Sequence, residues 1–459
     1  MDLVGPAPNQ DQDEFKCLNL NIAAPKDIVE KRGDKKIPVL VWIHGGAFVF
    51  GANTDRYAAI AHLVHESIKV GKPIIVVSIN YRLNYFGFLA HRQILEANKA
   101  ASLGGCGNQG LYDQRVAFEW VNRYISSFGG DPQRVTAIGH SAGSISLHGH
   151  LIASRPLFQR AILASGVMAG MVGSSTVDSW LISEEYEKLQ KYCGVTTFEE
   201  LQKVPVEKLM EAHGKLKTRP VSHIIDDSAV QGGFFEHGPP SKTGWIVHPD
   251  SKDIPIMIGD AAVEGIIFMA TIQKYHPEQL LAGLQKRLPT SFLKHYQLDI
   301  DSASPLNTPL HTIIPRMVQF CSDIPFSAPI AKVCSSYPVN KVYSYHWNRG
   351  HQFDGGRPKN IANHGVDMNY VFGGHIPHFP EEIDRELSRT AIGNVLTFVY
   401  GGEPWPVRGT ENLSMVYGED GKVGMERDEN SRRWGAYEEM YKQWDLVREV
   451  WNDFLNMRL

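Results

Sequence analysis

RVTAIGHSAGSISLHGHL, Arg134 to Leu151, decides how this chain is read. A run of β-formers, Val135 to Ile138, meets Gly139; His140, Ser141 and Ala142 follow, then Gly143 and the helix-compatible SISLHGHL. Strand, tight turn and helix in that order put the turn beyond the carboxyl end of a strand, where α/β sheets bind their ligands. Gly139-His140-Ser141-Ala142-Gly143 matches the G-x-S-x-G elbow, which holds a serine at the apex of a strained strand-to-helix turn. A side chain at either glycine would collide with the neighbouring strand or helix. The apex would hold Ser141 Oγ out at a helix N-terminus, where an anion gains stability. As a bare pattern the same residues describe a Gly/Ser turn capping a helix, so the context has to decide.

The context begins at HGGAF (44–48), which follows the apolar strand VLVWI just as an oxyanion-hole loop follows its strand in hydrolases with this elbow. Glycines there let backbone N–H groups point into a site. Ester cleavage puts negative charge on the former carbonyl oxygen, and each pre-aimed donor is worth roughly 10²–10³ in rate. The N–H groups of Gly46, Ala47 and Ala142 are assigned this role.

A serine needs a base. Nineteen histidines make their number uninformative, but the order in this fold is Ser, then Asp/Glu, then His. IPIMIGDAAVEGIIF supplies Asp260 and Glu264 just past a strand, and NHGVD (363–367) supplies His364 in a glycine-flanked loop. On the residues alone, both carboxylates remain open as the acid. His148 and His150 fall inside the helix after the elbow and read as packing or solvent-facing residues.

The rest of the chain agrees with an α/β class. CLNLNIAAP (17–25) alternates like a strand, while VLVWIHGG (39–46) and IIVVSINYR (74–82) are the near-continuous apolar runs of strands buried on both faces. YAAIAHLVHESIK lies between them with helical spacing. LYDQRVAFEWVNRYISSF (111–128) is amphipathic, with Val116, Trp120 and Tyr124 on one face. RAILASG (160–166), IPIMIG (254–259) and KVYSYHW (341–347) read as further strands, and LSRTAIGNVLTFVYG (387–401) and YEEMYKQWDLVREVWNDFL (437–455) as late helices. The alternation predicts a doubly wound, mostly parallel sheet. One domain over 1–459 is expected, with helical insertions at about 168–252 and 266–335 over the strand ends. Phe234, Phe235, Phe268 and Phe320 are candidate pocket liners there, with core packing as the simpler role.

Composition excludes other classes. A formal charge of −4 over 459 residues gives no attraction for nucleic acid or anionic lipid, and no apolar run approaches the ~20 residues of a membrane span. Five widely spaced cysteines without a CxxC argue against a disulfide framework or a zinc site and read as buried thiols. No metal and no cofactor is expected. MDLVGPAPNQDQDE lacks the basic and apolar regions of a signal peptide. The expected location is the cytoplasm, unless a signal-bearing segment precedes this chain.

Taken together, CLNLNI, VWIHGGAFVFG, VVSINYRLNYFGFL, GNQGLYDQRVAFEWV, FGGDPQRVTAIGHSAG, RAILASG, GDAAVEG and HGVD resemble the type-B carboxylesterase and cholinesterase-like α/β hydrolases, fungal members in particular. The resemblance implies Ser141 as nucleophile, His364 as base and Gly46, Ala47 and Ala142 as oxyanion donors. Its acid stands directly before a glycine, which implies Glu264 and not Asp260. Ser165 and Asp367 match family positions that support the triad from behind. Three departures stand out. His140 occupies the place of the acid in the frequent GESAG, which weakens the case for a cationic substrate. Only 16 residues precede Cys17, so no choline-stacking tryptophan can be assigned and an exposed strand edge could pair two copies into a homodimer. No cysteine lies upstream to partner Cys17.

The expected function is a serine carboxylic-ester hydrolase that forms an acyl-enzyme on an uncharged small-molecule ester. The same triad would serve an acyltransferase or a lactone-forming, product-releasing enzyme, and the same fold a catalytically silent binding protein.

Overall fold

The computed structural model describes residues 13–31, 36–103, 105–154, 156–170, 184–216, 233–235, 247–300, 310–351 and 359–459. Among these residues, nine strands form one sheet in the order β1-β3-β2-β4-β5-β6-β7-β8-β9. They are β1 (Leu20–Ala23), β2 (Ile37–Ile43), β3 (Ile75–Ile79), β4 (Gly130–His140), β5 (Arg160–Ala164), β6 (Ile256–Ala261), β7 (Val342–Trp347), β8 (Leu413–Tyr417) and β9 (Val423–Arg427). β2 to β8 run parallel, and β1 and β9 close the two edges antiparallel. Every residue of β2 and β3 is buried, as their unbroken apolar runs require of strands covered on both faces.

The helices that cover the faces are α1 (Ile60–Lys69), α2 (Gln109–Tyr124), α3 (Ala142–Ala153) and α6 (Glu382–Val399); α4 (Leu310–Ser322) and α5 (Ala328–Ser336) lie in the second excursion. Val39, Val41 and Ile43 of β2 pack with Leu111 and Phe118 of α2 and Leu147 and Leu151 of α3. Leu40 and Trp42, on the other face, pack with Leu63 and Val64 of α1 and Leu387 and Val395 of α6. The chain therefore leaves β2 toward one face, through α1, and leaves the adjacent β4 toward the other, through α3. Where neighbouring strands send their connections to opposite faces, a crevice opens at their carboxyl ends. HGGAF and the Ser141 turn both sit at that crevice. A third apolar cluster joins helices of 269–328 to the C-terminal helices around Trp444, Trp451 and Phe454.

Three details depart from the sequence reading. The face of α2 marked by Val116, Trp120 and Tyr124 is the outer one: Val116 is 61% and Tyr124 41% exposed, while Leu111, Gln114, Phe118 and Val121 are buried. A strict spacing of four drifts around a helix of 3.6 residues per turn, and the true buried stripe mixes steps of three and four. The closing helix is two helices, Trp434–Lys442 and Trp444–Leu455, broken at Gln443. The hairpin β8–β9 had no strand prediction at all; its outer strand is largely solvent-facing and too polar to announce itself.

Helices Glu184–Cys193 and Val206–Leu216 lie within 168–252; 171–183, 217–232 and 236–246 of that stretch, and 301–309 of 266–335, lie outside the described residues. Among the described residues no helix is long and apolar enough to cross a membrane. Cys106, Cys193, Cys321 and Cys334 are buried, as expected, and Cys17 is half-buried.

Candidate active site

β4 ends at His140, α3 starts at Ala142, and Ser141 stands between them at φ 55°, ψ −122°. A side chain other than glycine in that region costs about 1–3 kcal/mol, supplied by surrounding contacts. Here Ser141 N–H donates to the Ala164 carbonyl at 2.9 Å, and its own carbonyl accepts from Ile145 N–H at 2.9 Å. A Cβ on Gly139 would come within 2.4 Å of Gly143 C, and one on Gly143 within 2.1 Å of Ile43 O. Both glycines are thus steric necessities: the turn folds back on itself and presses α3 against the end of β2. Ser141 stays half-buried while every residue of α3 is buried.

The loop after β2 takes Gly46, Ala47 and Phe48 through three successive positive φ angles, 106°, 54° and 62°. Gly46 O accepts from Val49 and Phe50 N–H at 2.9 and 3.0 Å, which tightens the loop. A Cβ on Gly45 would lie 3.0 Å from Ser141 Cβ and 2.8 Å from His140 O, so this backbone touches the elbow directly. His44 anchors the loop: its ring stacks on Tyr81 at 4.5 Å, and the Tyr81 hydroxyl donates to the His44 carbonyl at 3.0 Å. Burial pushes the His44 imidazole down to about 4, and its neutral Nδ1–H donates to Gly45 O at 2.8 Å. Ala142, as the first residue of α3, has no helical carbonyl to receive its N–H.

The acid and base candidates meet through backbone as well as side chains. Val263 N–H donates to Ala362 O at 2.9 Å, and Val263 and Asn363 form a parallel bridge. Glu264 and His364, one residue further on each side, hydrogen-bond through Oε2 and Nδ1. Glu264 is fully buried, and its Oε1 accepts from Ala261 N–H at 2.6 Å. Burial pushes its carboxyl up to about 8, against the lowering effect of the Ser165 hydroxyl and the Ala261 N–H. Gly265 docks on α4: its N–H donates to Ser322 Oγ at 2.8 Å, and a Cβ there would lie 2.0 Å from Val318 O.

The His364 ring lies against His140, with centroids 4.6 Å apart, and against Phe326 at 4.8 Å. Gly365, at φ 82°, faces His140 so closely that a Cβ would fall 2.8 Å from its ring. The base candidate therefore packs on the residue immediately before Ser141. Asp367 accepts from the Tyr345 hydroxyl at 2.8 Å; burial, then the nearby Glu264 charge, pushes it up to about 7.

Asp260 faces elsewhere. It pairs with Arg432 at 2.8 Å and with His346 Nδ1 at 2.7 Å. Burial raises its carboxyl, but Arg432 and His346 outweigh that and hold it below the usual range. Between the two carboxylates left open by the residues, Glu264 is the one against His364. His148 and His150 pack in the core: His148 Nδ1 accepts from Met168 N–H at 3.1 Å, and His150 Nε2 meets Gln114 Oε1 at 3.1 Å. Of the four phenylalanines, Phe234 and Phe235 pack together on the α2–α3 side and Phe320 packs against Phe292 and Tyr296. Phe268 touches Trp451 and Phe326, and so reaches the base at second hand. Sequence reasoning missed Phe326, which sits in a π-helical turn, Asp323–Ser327. Such turns cluster at functional sites, and the two prolines of IPFSAP are the only local hint of one.

The model of the family described as "Carboxylesterase family" matches residues 4–444. Lipase 3 of Yarrowia lipolytica is 30% identical over 415 residues, which cover 86% of this chain and 73% of that protein. Para-nitrobenzyl esterase of Bacillus subtilis is 28% identical over 455 residues, 93% of this chain and 83% of its own. Among solved structures, a Geobacillus stearothermophilus carboxylesterase superposes with a TM-score of 0.72 at 24% identity, covering 94% of this chain and 88% of its own, a likeness of fold.

Proposed function

The chain belongs to the carboxylesterase family and is a carboxylic ester hydrolase, and from that premise we propose that Ser141, His364 and Glu264 perform the hydrolysis through an acyl-enzyme. Glu264 accepts the Nδ1–H of His364, which leaves Nε2 with the lone pair that a serine proton requires. Ser141 Oγ attacks the ester carbonyl as that proton passes to Nε2. The carbonyl oxygen becomes an anion beside the N–H groups of Gly46, Ala47 and Ala142. His364 then protonates the departing alcohol. Water, deprotonated by the same imidazole, attacks the acyl-serine, and its collapse restores Ser141. Glu264 stabilises the imidazolium at each half-reaction.

The observation that carries this reading is the Glu264–His364 hydrogen bond, in a loop whose ring packs against His140, next to Ser141. The substrate proposed is an uncharged ester: the residue before Ser141 is a buried imidazole and supplies no carboxylate to attract a cation. Replacing Ser141 with Ala should cut kcat/KM on a short p-nitrophenyl ester by at least about 10⁴-fold and abolish labelling by a fluorophosphonate. A folded Ser141→Ala protein that keeps its turnover ends the assignment.

A further inference from the structure

We propose that Asp260 and Arg432 are positioning residues for the hydrolysis: a buried ion pair that anchors the end of β6 and sets the field in which the Glu264–His364 pair takes up its inhibitory proton. The inference rests on the triad reading above.

The geometry is a chain of buried charges behind the acid loop. Asp260 directly precedes Ala261, whose N–H holds Glu264 Oε1 at 2.6 Å. In the sheet, Asp260 of β6 and His346 of β7 are register partners. Arg432 reaches Asp260 Oδ1 through Nη2 at 2.8 Å and through Nε at 3.1 Å. His346 places its other nitrogen 3.4 Å from Asp428, which Arg408 neutralises at 2.7 Å. Asp428 and Arg432 come from the end of the β8–β9 hairpin, so a C-terminal element is tied to the loop that carries the acid.

Among the described residues, His364, Asp367 and Tyr345 face Glu264 from the base side and Asp260 and Arg432 from behind, with His346 one step further back on Asp260. The π turn packed against its segment carries Asp323, which is occupied by Arg433 at 2.6 Å and by the Tyr296 and Tyr437 hydroxyls. Among these, Asp260 favours protonation of Glu264 and Arg432 opposes it. The two act in opposite directions on that proton, so removing either leaves the effect of the other.

Hydrolysis needs the Glu264–His364 pair without its extra proton, and the acidic limb of kcat/KM reports where the pair gains it. Asp260→Asn leaves the guanidinium unopposed, so the limb should move to lower pH. Arg432→Gln leaves the Asp260 carboxylate with His346 as its remaining partner and without the guanidinium charge, so the limb should move to higher pH. A nearby unit charge shifts such a group by about one pH unit. The double variant Asp260→Asn/Arg432→Gln should place the limb between those of the two single variants. A role in folding alone would lower kcat in all three variants without displacing the limbs in opposite directions. If one single variant fails to fold, the other's displacement from the double variant gives the sign. Limbs that stay put, or move the same way, overturn the proposal. An active Ser141→Ala overturns the triad reading first, so the two failures are separable.

Discussion

The two halves of the site are held together by different physics. The half that carries the proposed nucleophile, residues 44–51 and 139–143, is built from backbone: positive φ angles at Gly46, Ala47, Phe48 and Ser141, and glycines against carbonyls. The half proposed to hold the acid and the base is built from side chains recruited across the chain. Glu264, His364 and Asp367 are backed by Asp260, His346, Asp428, Arg408 and Arg432, all buried and hydrogen-bonded or ion-paired. The first half should therefore break by steric insult and the second by loss of charge balance.

The steric arm of that contrast is tested at Gly143. Alanine there puts Cβ 2.1 Å from the Ile43 carbonyl oxygen, a backbone atom of a fully buried strand that cannot swing aside. Either α3 lifts off β2 or the elbow unwinds. Gly143→Ala should cost roughly 3–5 kcal/mol of stability and remove most activity from whatever folds, as read by chemical denaturation and ester turnover. A fully stable, fully active Gly143→Ala protein would falsify the view that backbone contact shapes this half.

The same contrast explains what could be read from the sequence. The nucleophile half is local: strand, glycine, serine and glycine lie within ten residues, and HGGAF carries its own strand before it. Seven of the nine strands among the described residues were visible: β1 by its alternation, and β2 to β7 chiefly because buried parallel strands carry apolar runs. The acid candidate was ambiguous on the residues, because Asp260 and Glu264 both lie at the carboxyl end of β6 and only their partners separate them. Those partners, Arg432 and His364, lie 172 and 100 residues away. Ion pairs at such separations leave no periodicity. The edge hairpin β8–β9, which delivers Asp428 and Arg432, was missed because an exposed outer strand has no apolar signature. The outward face of α2 was misread because spacing alone does not say which stripe meets the sheet.

A smaller effect separates the halves by how they bury titratable groups. The acid half buries ions in pairs, whereas α3 buries His148 as a neutral ring, pushed down to about 3 by burial alone. The unfolded chain takes up that proton near the ordinary value of 6.5; the folded chain does not until far lower. Stability from this group is thus complete above about pH 6.5 and lost as pH falls toward its folded value. Between about pH 6.5 and pH 5 the loss should be roughly 1.5 kcal/mol. His148→Asn keeps an acceptor for Met168 N–H and removes the titration, so its denaturation midpoint should fall less over that interval. An equal fall in both proteins would mean that His148 is not buried neutral.

The smallest effect concerns a glycine of the other kind. Gly393 lies within α6, and a Cβ there meets nothing within 4 Å. Its backbone is helical, and its carbonyl already accepts from Thr397 Oγ1 at 2.8 Å, a bond that alanine leaves in place. Glycine inside a helix costs about 0.5–1 kcal/mol relative to alanine because it gives up more freedom on folding. Gly393→Ala should therefore raise the free energy of unfolding by that amount, read as a higher denaturation midpoint, with ester turnover unchanged. The sign is opposite to that at Gly143 for the same added methyl group, because one glycine faces open space and the other a carbonyl. A destabilised Gly393→Ala protein would mean that the helix is set by contacts beyond the methyl's reach, and the distinction between the two glycines would then have to come from helix strain instead of clearance.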